Sequence, residues 1–160
     1  MSDAFKGEEE LLLKLAQMDS SIRNEIVRKA VLKGAEFIRR EAVLLCPVDS
    51  GELRNSIMCM VEQNNHETVG TVYTNKEYAP YVEFGTGPVG AANHSGISPE
   101  ATPTYRQTGW GYYDDKNESW RYTNGQPAQP FMYPALKNNE EKATEMIKKD
   151  IIKYLKEVTG

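Results

Sequence analysis

The chain has 160 residues, of which 39% are hydrophobic and 26% charged, the proportions of an ordinary globular domain long enough to bury a core. Its formal net charge is −4, and no apolar run approaches the roughly 18 residues of a membrane span. Those figures argue against a general nucleic-acid binder, which needs a basic surface for phosphates, and against a membrane protein.

The opening MSDAFKGEEE has neither a basic start nor an apolar stretch, so no signal peptide is read and a soluble protein made in the cytoplasm is expected. A short helix over residues 8–18 follows, its glutamates at the positive end of the dipole. Asp19 and Ser20 supply N-cap chemistry for a long helix with Ile26, Val27, Ala30, Val31, Ala35, Ile38, Ala42 and Leu45 on one stripe. Pro47 ends it near Leu45, because the residue before proline is steered away from helical geometry.

Beyond a turn at Pro47–Gly51 the period changes to two. Ile57, Cys59 and Val61 alternate with polar or flexible neighbours, and Val69, Thr71 and Tyr73 do the same after a turn at residues 63–66. Residues 85–109 are rich in Gly, Pro, Ser and Thr and read as a long loop, expected to order only against a neighbouring subunit or partner protein. Trp110–Tyr113 and Trp120–Thr123 flank a turn at Asp114–Asn117 and predict a second hairpin with aromatics paired across it. A final helix is expected over 134–158, with Leu136, Ala143, Ile147, Ile151, Tyr154 and Val158 on its stripe. Helices, then strands, then a helix predict an α+β fold: a small antiparallel sheet packed against two long helices, with a long loop and an extra hairpin inserted at about 87–125 of a single domain.

Charge is unevenly placed. Residues 47–133 carry five Lys or Arg against ten Asp or Glu, so the middle of the chain is acidic. The aromatics of 110–122 resemble a stacking platform for single strands, but such platforms run beside cations, and here Arg106, Lys116 and Arg121 are balanced by Asp114, Asp115 and Glu118. Packing or a protein contact fits better.

Gly85, Gly87 and Gly90 stand in the spacing G-x-G-x-x-G. A dinucleotide turn needs a strand before the first glycine and a long helix opening behind it, whose free N–H groups hold the pyrophosphate. Pro88 interrupts the motif and Pro99 and Pro103 follow, so a nucleotide site is not expected. His66 and His94, the only histidines, have no orienting acid or ligand cluster, and Asp114 and Asp115 read as turn residues. Cys46 and Cys59 are in no metal or redox spacing and read as reduced thiols. No catalytic, cofactor or metal residue is assigned, and no enzymatic step is expected.

Three segments in order carry a resemblance: CPVDSGELRNSI at 46–57, YAPYVEFGTG at 78–87 and PAQPFMYPAL at 127–136. Together they resemble the tail-component family of tailed phages typified by gene product ten of a lambdoid phage with a long tail, over roughly residues 20–158, leaving the first short helix outside. The resemblance implies a structural neck or tail-completion protein at the head–tail junction of a phage or prophage, present in the virion and assembled in the host cytoplasm. It implies a ring of this chain, with head-completion or connector proteins and tail terminator or tube proteins as neighbours, and no cofactor, specific nucleic acid or membrane. Alternatives are a tail terminator or minor tail subunit, or, in another class, a small cytoplasmic protein-binding regulatory module.

Within these segments Pro47 stops a helix and Gly51 permits the turn, while Tyr81, Val82 and Phe84 are expected on a sheet edge, with Gly85 and Gly87 at positive φ in a reversal. Glu83 is expected to cap local N–H groups or meet a cation, and Phe131 to anchor the last helix. The candidate assembly contacts are Tyr81, Glu83, Phe84, Gly85, Trp110, Tyr112, Trp120 and Phe131. An acidic ring lumen, letting DNA slide without sticking, is the expectation drawn from the acidic middle segment.

Overall fold

A computed structural model describes residues 2–160, and their side chains apart from residues 2–6 and 8. The described residues form the expected mixture: helices with two small two-stranded sheets. They fall into two compact units. The first takes the chain up to Ile38, then Cys59–Val72 and Glu140–Gly160; the second takes Arg39–Met58 and Tyr73–Asn139.

In the first unit, helix α1 runs over Ser2–Gln17, starting earlier than the expected residue 8. Helix α2 covers Ser20–Leu45, as the capping and proline signals required. Asp19 Oδ1 accepts the Ser21 N–H at 2.8 Å, and its carbonyl accepts the Arg23 N–H at 3.0 Å, so two free donors of the first turn are satisfied. Ile26, Ala30, Ala35, Phe37 and Ile38 form its buried face in this unit. Strands β1, Met58–Gln63, and β2, Thr68–Tyr73, form one sheet, and their four-residue link makes them antiparallel. The turn begins at Asn64 rather than Gln63: Asn64 Oδ1 accepts the N–H groups of His66 and Glu67 at 2.8 and 2.9 Å. Gln63 stays in the strand, where Nε2 donates to the Asn24 carbonyl at 3.0 Å and Thr68 Oγ1 at 2.8 Å.

The face of β2 differs from the expected one. A Cβ on Gly70 would stand 3.0 Å from Ala35 Cβ and 3.1 Å from Val31 Cγ1, so Gly70, with Thr68 and Val72, is on the side toward α2. Val69 and Thr71 point the other way. The missing side chain at Gly70 lets the strand lie close to the helix, which outweighs the β-branched alternation.

The last helix is split. Helix α6, Met132–Lys137, ends at Asn138, and helix α7 runs over Glu140–Thr159. Asn139 Nδ2 donates to the Ala135 carbonyl at 3.0 Å, which closes α6 and ends the single stripe expected over 134–158. Ala143 and Leu155 are buried, whereas Leu136 and Val158 are exposed. α7 meets α2 through Lys33, whose Nζ is 3.2 Å from Asp150 and 5.2 Å from the Tyr154 ring centre, and through Lys142 over the Phe37 ring.

The second unit holds the end of α2, a one-turn helix α3 over Glu52–Asn55, helix α4 over Ala79–Phe84, helix α5 over Gly87–Ala92, strands β3, Trp110–Asp114, and β4, Ser119–Thr123, and α6. Its core is Ala42, Cys46, Leu53, Ile57, Ala79, Phe131 and Ala135. Tyr81, Val82 and Phe84 are therefore on a helix, not a sheet edge. The prolines at 80 and 88 sit in the first turns of α4 and α5, where their missing N–H costs nothing.

The stretch 85–109 is held by its own chain rather than waiting for a neighbour. Thr86 pairs with Gln126 as an isolated bridge, Ala128 N–H donates to the Asn93 carbonyl at 2.8 Å, and Tyr105 Oη donates to the Phe84 carbonyl at 2.8 Å. His94 stacks on Tyr105 with ring centres 5.6 Å apart.

Candidate assembly surface

The E-F-G-T-G turn is built by close passage of two backbone segments. Gly85 and Gly87 have φ of 77° and 61°, the positive values expected for the reversal. A Cβ on Gly85 would be 2.8 Å from the Gln126 carbonyl oxygen, and one on Gly87 would be 2.5 Å from that of Asn124. The donors a phosphate would use are taken: Thr86 N–H donates to Gln126 and Val89 N–H to Asn124, at 2.9 and 3.1 Å. The glycine spacing thus serves the crossing of residues 85–90 over 124–128, although a short helix does open at Gly87.

Glu83 faces inward from α4. Its Oε2 accepts the N–H groups of Phe131 at 2.7 Å and Met132 at 3.0 Å, and Oε1 accepts that of Tyr133 at 3.0 Å. The carboxylate thereby caps α6 from a distant segment, where a negative charge is favoured by the unsatisfied amides and the helix dipole. Phe131, fully buried, is held in place by the same bond. In the same unit the Cys46 thiol pKa is raised by burial, with Arg54 lowering it and Glu83 raising it, which favours the protonated thiol. Cys59 is half-buried and in no disulfide.

The β3–β4 hairpin forms as expected. Tyr113 pairs with Trp120 in register, and their rings meet edge to face with centres 5.8 Å apart. Asp114 holds the turn: it accepts N–H groups of Lys116 and Asn117 and the Asn117 amide, and it is 2.9 Å from Arg121 Nε. The register sorts the aromatics into two faces. Tyr113, Trp120 and Tyr122 share one face, and Trp110 and Tyr112 are on the other.

The candidate contacts therefore separate. Glu83, Gly85 and Phe131 are turned into their own unit, and Phe84 and Trp110 are half-buried, the latter under the Arg106 guanidinium. Tyr81, Tyr112 and Trp120 are exposed, Trp120 to 76%. Tyr113 and Tyr122 are also exposed but were missed; cross-strand parity with Trp120 was the signal that could have found them. Among the described residues no group of three or more His, Cys, Asp or Glu can hold a metal, and no helix is long and apolar enough to cross a membrane. The geometry is that of a packed scaffold bearing an outward aromatic face.

Comparison with family models decides what kind of scaffold this is: residues 9–85 match the one described as "Bacteriophage HK97-gp10, putative tail-component". Over that stretch, just under half of its length, the chain is similar to the HK97-gp10-like family. The matched segment holds the CPVDSGELRNSI and YAPYVEFG motifs; it begins at Glu9, inside the short helix expected to lie outside, and ends at residue 85 rather than near 158. The PAQPFMYPAL segment and the aromatic hairpin fall outside the matched residues. Comparison with curated proteins and with solved structures gave no match. The match supports a phage tail-component role in general.

Proposed function

We propose that this tail component acts at the head–tail junction of a long-tailed phage or prophage, as a neck or tail-completion protein assembled into a ring. The family match over residues 9–85 carries the reading. It is supported by a chain whose most exposed aromatics, Trp120 and Tyr122, lie together on a hairpin fixed by Asp114 and Tyr113. Such rigid aromatic faces lose little freedom on docking and are rich in binding energy. The ring is built by protein–protein contact with copies of itself, and its neighbours are connector and tail-terminator or tube proteins. It acts without chemistry.

The test is electron microscopy of particles made by a phage lacking this chain. Filled heads beside finished, unattached tails support the joining role. Tails of irregular length would instead make it a terminator, and normal infectious particles would overturn a virion role altogether.

A further inference from the structure

The outward hairpin face combines an aromatic anchor with uncompensated acid. Trp120 meets Tyr113 edge to face, which restricts its side chain before any partner arrives. At the tip, Asp114 is neutralised by Arg121, and Lys116 is 3.6 Å from Asp49. Asp115 and Glu118 have no ion-pair partner among the described residues.

The chain also carries an apolar groove with lysines at its edge. Helices α1 and α7 line a groove of about 680 Å³, with Leu15, Ile151 and Leu155 among its apolar residues. Leu12, 65% exposed, and Ile152, 39% exposed, also line it. Lys156 is on its rim, and Lys149 is beside it next to Ile152. Neither lysine has an ion pair among the described residues. The acids around them are already engaged, Asp150 by Lys33, Glu157 by Lys153 and Glu10 by Lys14, so they do not cancel the two lysines.

We propose that the β3–β4 hairpin of one copy docks into the α1–α7 groove of the next, with Trp120 entering the apolar floor and Asp115 and Glu118 meeting Lys149 and Lys156. Such a contact joins two different surfaces, so it propagates head to tail and closes into a ring when the rotation permits. Opposite charges around a buried aromatic set the register and speed encounter, and rotamer fixing of Trp120 lowers the ordering cost. The inference deepens the ring-assembly reading and rests on it. It gives the hairpin, which is outside the family segment, a role as the donor side of the ring contact.

Sedimentation of the purified full-length chain over a range of concentration and salt tests the contact. Self-association is expected, weakening as salt rises. Trp120→Ala should weaken it at least tenfold with an unchanged circular dichroism spectrum. The pair Asp115→Lys with Glu118→Lys should dissociate the assembly, as should Lys149→Glu with Lys156→Glu, and the chain carrying all four changes should associate again. A chain that stays monomeric to about 1 mM, association indifferent to Trp120→Ala, or a fourfold variant that fails to recover would each overturn the contact. A hairpin that instead binds an unrelated tail protein, with the chain itself monomeric, also overturns it. None of these results bears on the particle phenotype, so the joining role stands or falls separately by microscopy.

Discussion

Glu83 and Phe131 are 48 residues apart in the chain, yet the Glu83 carboxylate accepts the Phe131 N–H at 2.7 Å inside the second unit. Two further amides, those of Met132 and Tyr133, converge on the same group. Removing it leaves three donors of α6 without partners in a poorly hydrated place. Glu83→Ala should therefore cost about 4 kcal/mol and Glu83→Gln, which keeps one acceptor oxygen, about 2 kcal/mol. Urea unfolding with an unchanged slope measures both. Equal stability of Glu83→Ala and wild type would show that water replaces the carboxylate at no cost.

Gly85 tests the backbone crossing that replaces the nucleotide reading. Its φ of 77° and ψ of 175° belong to a region open essentially to glycine alone, and an added Cβ would meet the Ala128 nitrogen at 2.7 Å. Gly85→Ala should cost about 3 kcal/mol. Gly96 has a similar φ of 83° but only the end of Pro130 nearby, at 3.2 Å. Gly96→Ala should cost about 1 kcal/mol. Thermal midpoints of the two variants, compared side by side, separate crowding from backbone conformation alone.

Local signals in the sequence were sufficient where local chemistry decides. Asp19 and Pro47 bounded α2 correctly because a cap and a proline act within a turn of themselves. The aromatic hairpin was legible from its turn and alternation. The α4 segment was not, because YVEF is a short apolar run that suits a strand or a helix equally, and Pro80 at its first turn decided the matter. Glu83 was expected to cap local N–H groups or meet a cation, but the amides it caps lie nearly fifty residues away and no spacing rule reaches them. Gly70 turned the face of β2 for the same kind of reason: the approach of α2 is a tertiary fact. Of the candidate contacts, exposure at Trp120 and burial at Phe131 could not be told apart, since both are aromatic residues in motif-like surroundings.

Acid should loosen the hairpin turn. The Asp114 pKa lies below its ordinary 3.8, mainly through the side-chain bond from Asn117, aided by the amides of Asn117 and Lys116 and the charge of Arg121, with desolvation opposing. A depressed folded-state pKa means that the ionised group favours the folded turn. That contribution is complete above pH 3.8 and disappears as pH falls through the lowered value. Carboxyl chemical shifts followed from about pH 6 to about pH 2 should place the Asp114 midpoint below the ordinary 3.8. In Asp114→Asn the acid-dependent change at the Trp120 ring signals should vanish. An Asp114 midpoint at or above 3.8 would contradict the bonding of the turn.

Phe131 and Trp120 should respond to truncation in opposite ways. Phe131 is completely enclosed and packs beside the capped start of α6, whereas Trp120 is 76% exposed and touches chiefly the edge of Tyr113. Phe131→Ala removes buried area and leaves a cavity, for a loss of about 4 kcal/mol. Trp120→Ala removes one aromatic pair at the surface, about 1 kcal/mol or less. Complementation of a phage lacking the chain then divides the two roles. Trp120→Ala should supply normal amounts of folded protein yet yield fewer joined particles, while Phe131→Ala should fail through loss of folded protein. Full infectivity with Trp120→Ala would remove the outward aromatic face from assembly and leave it as part of the hairpin's own packing.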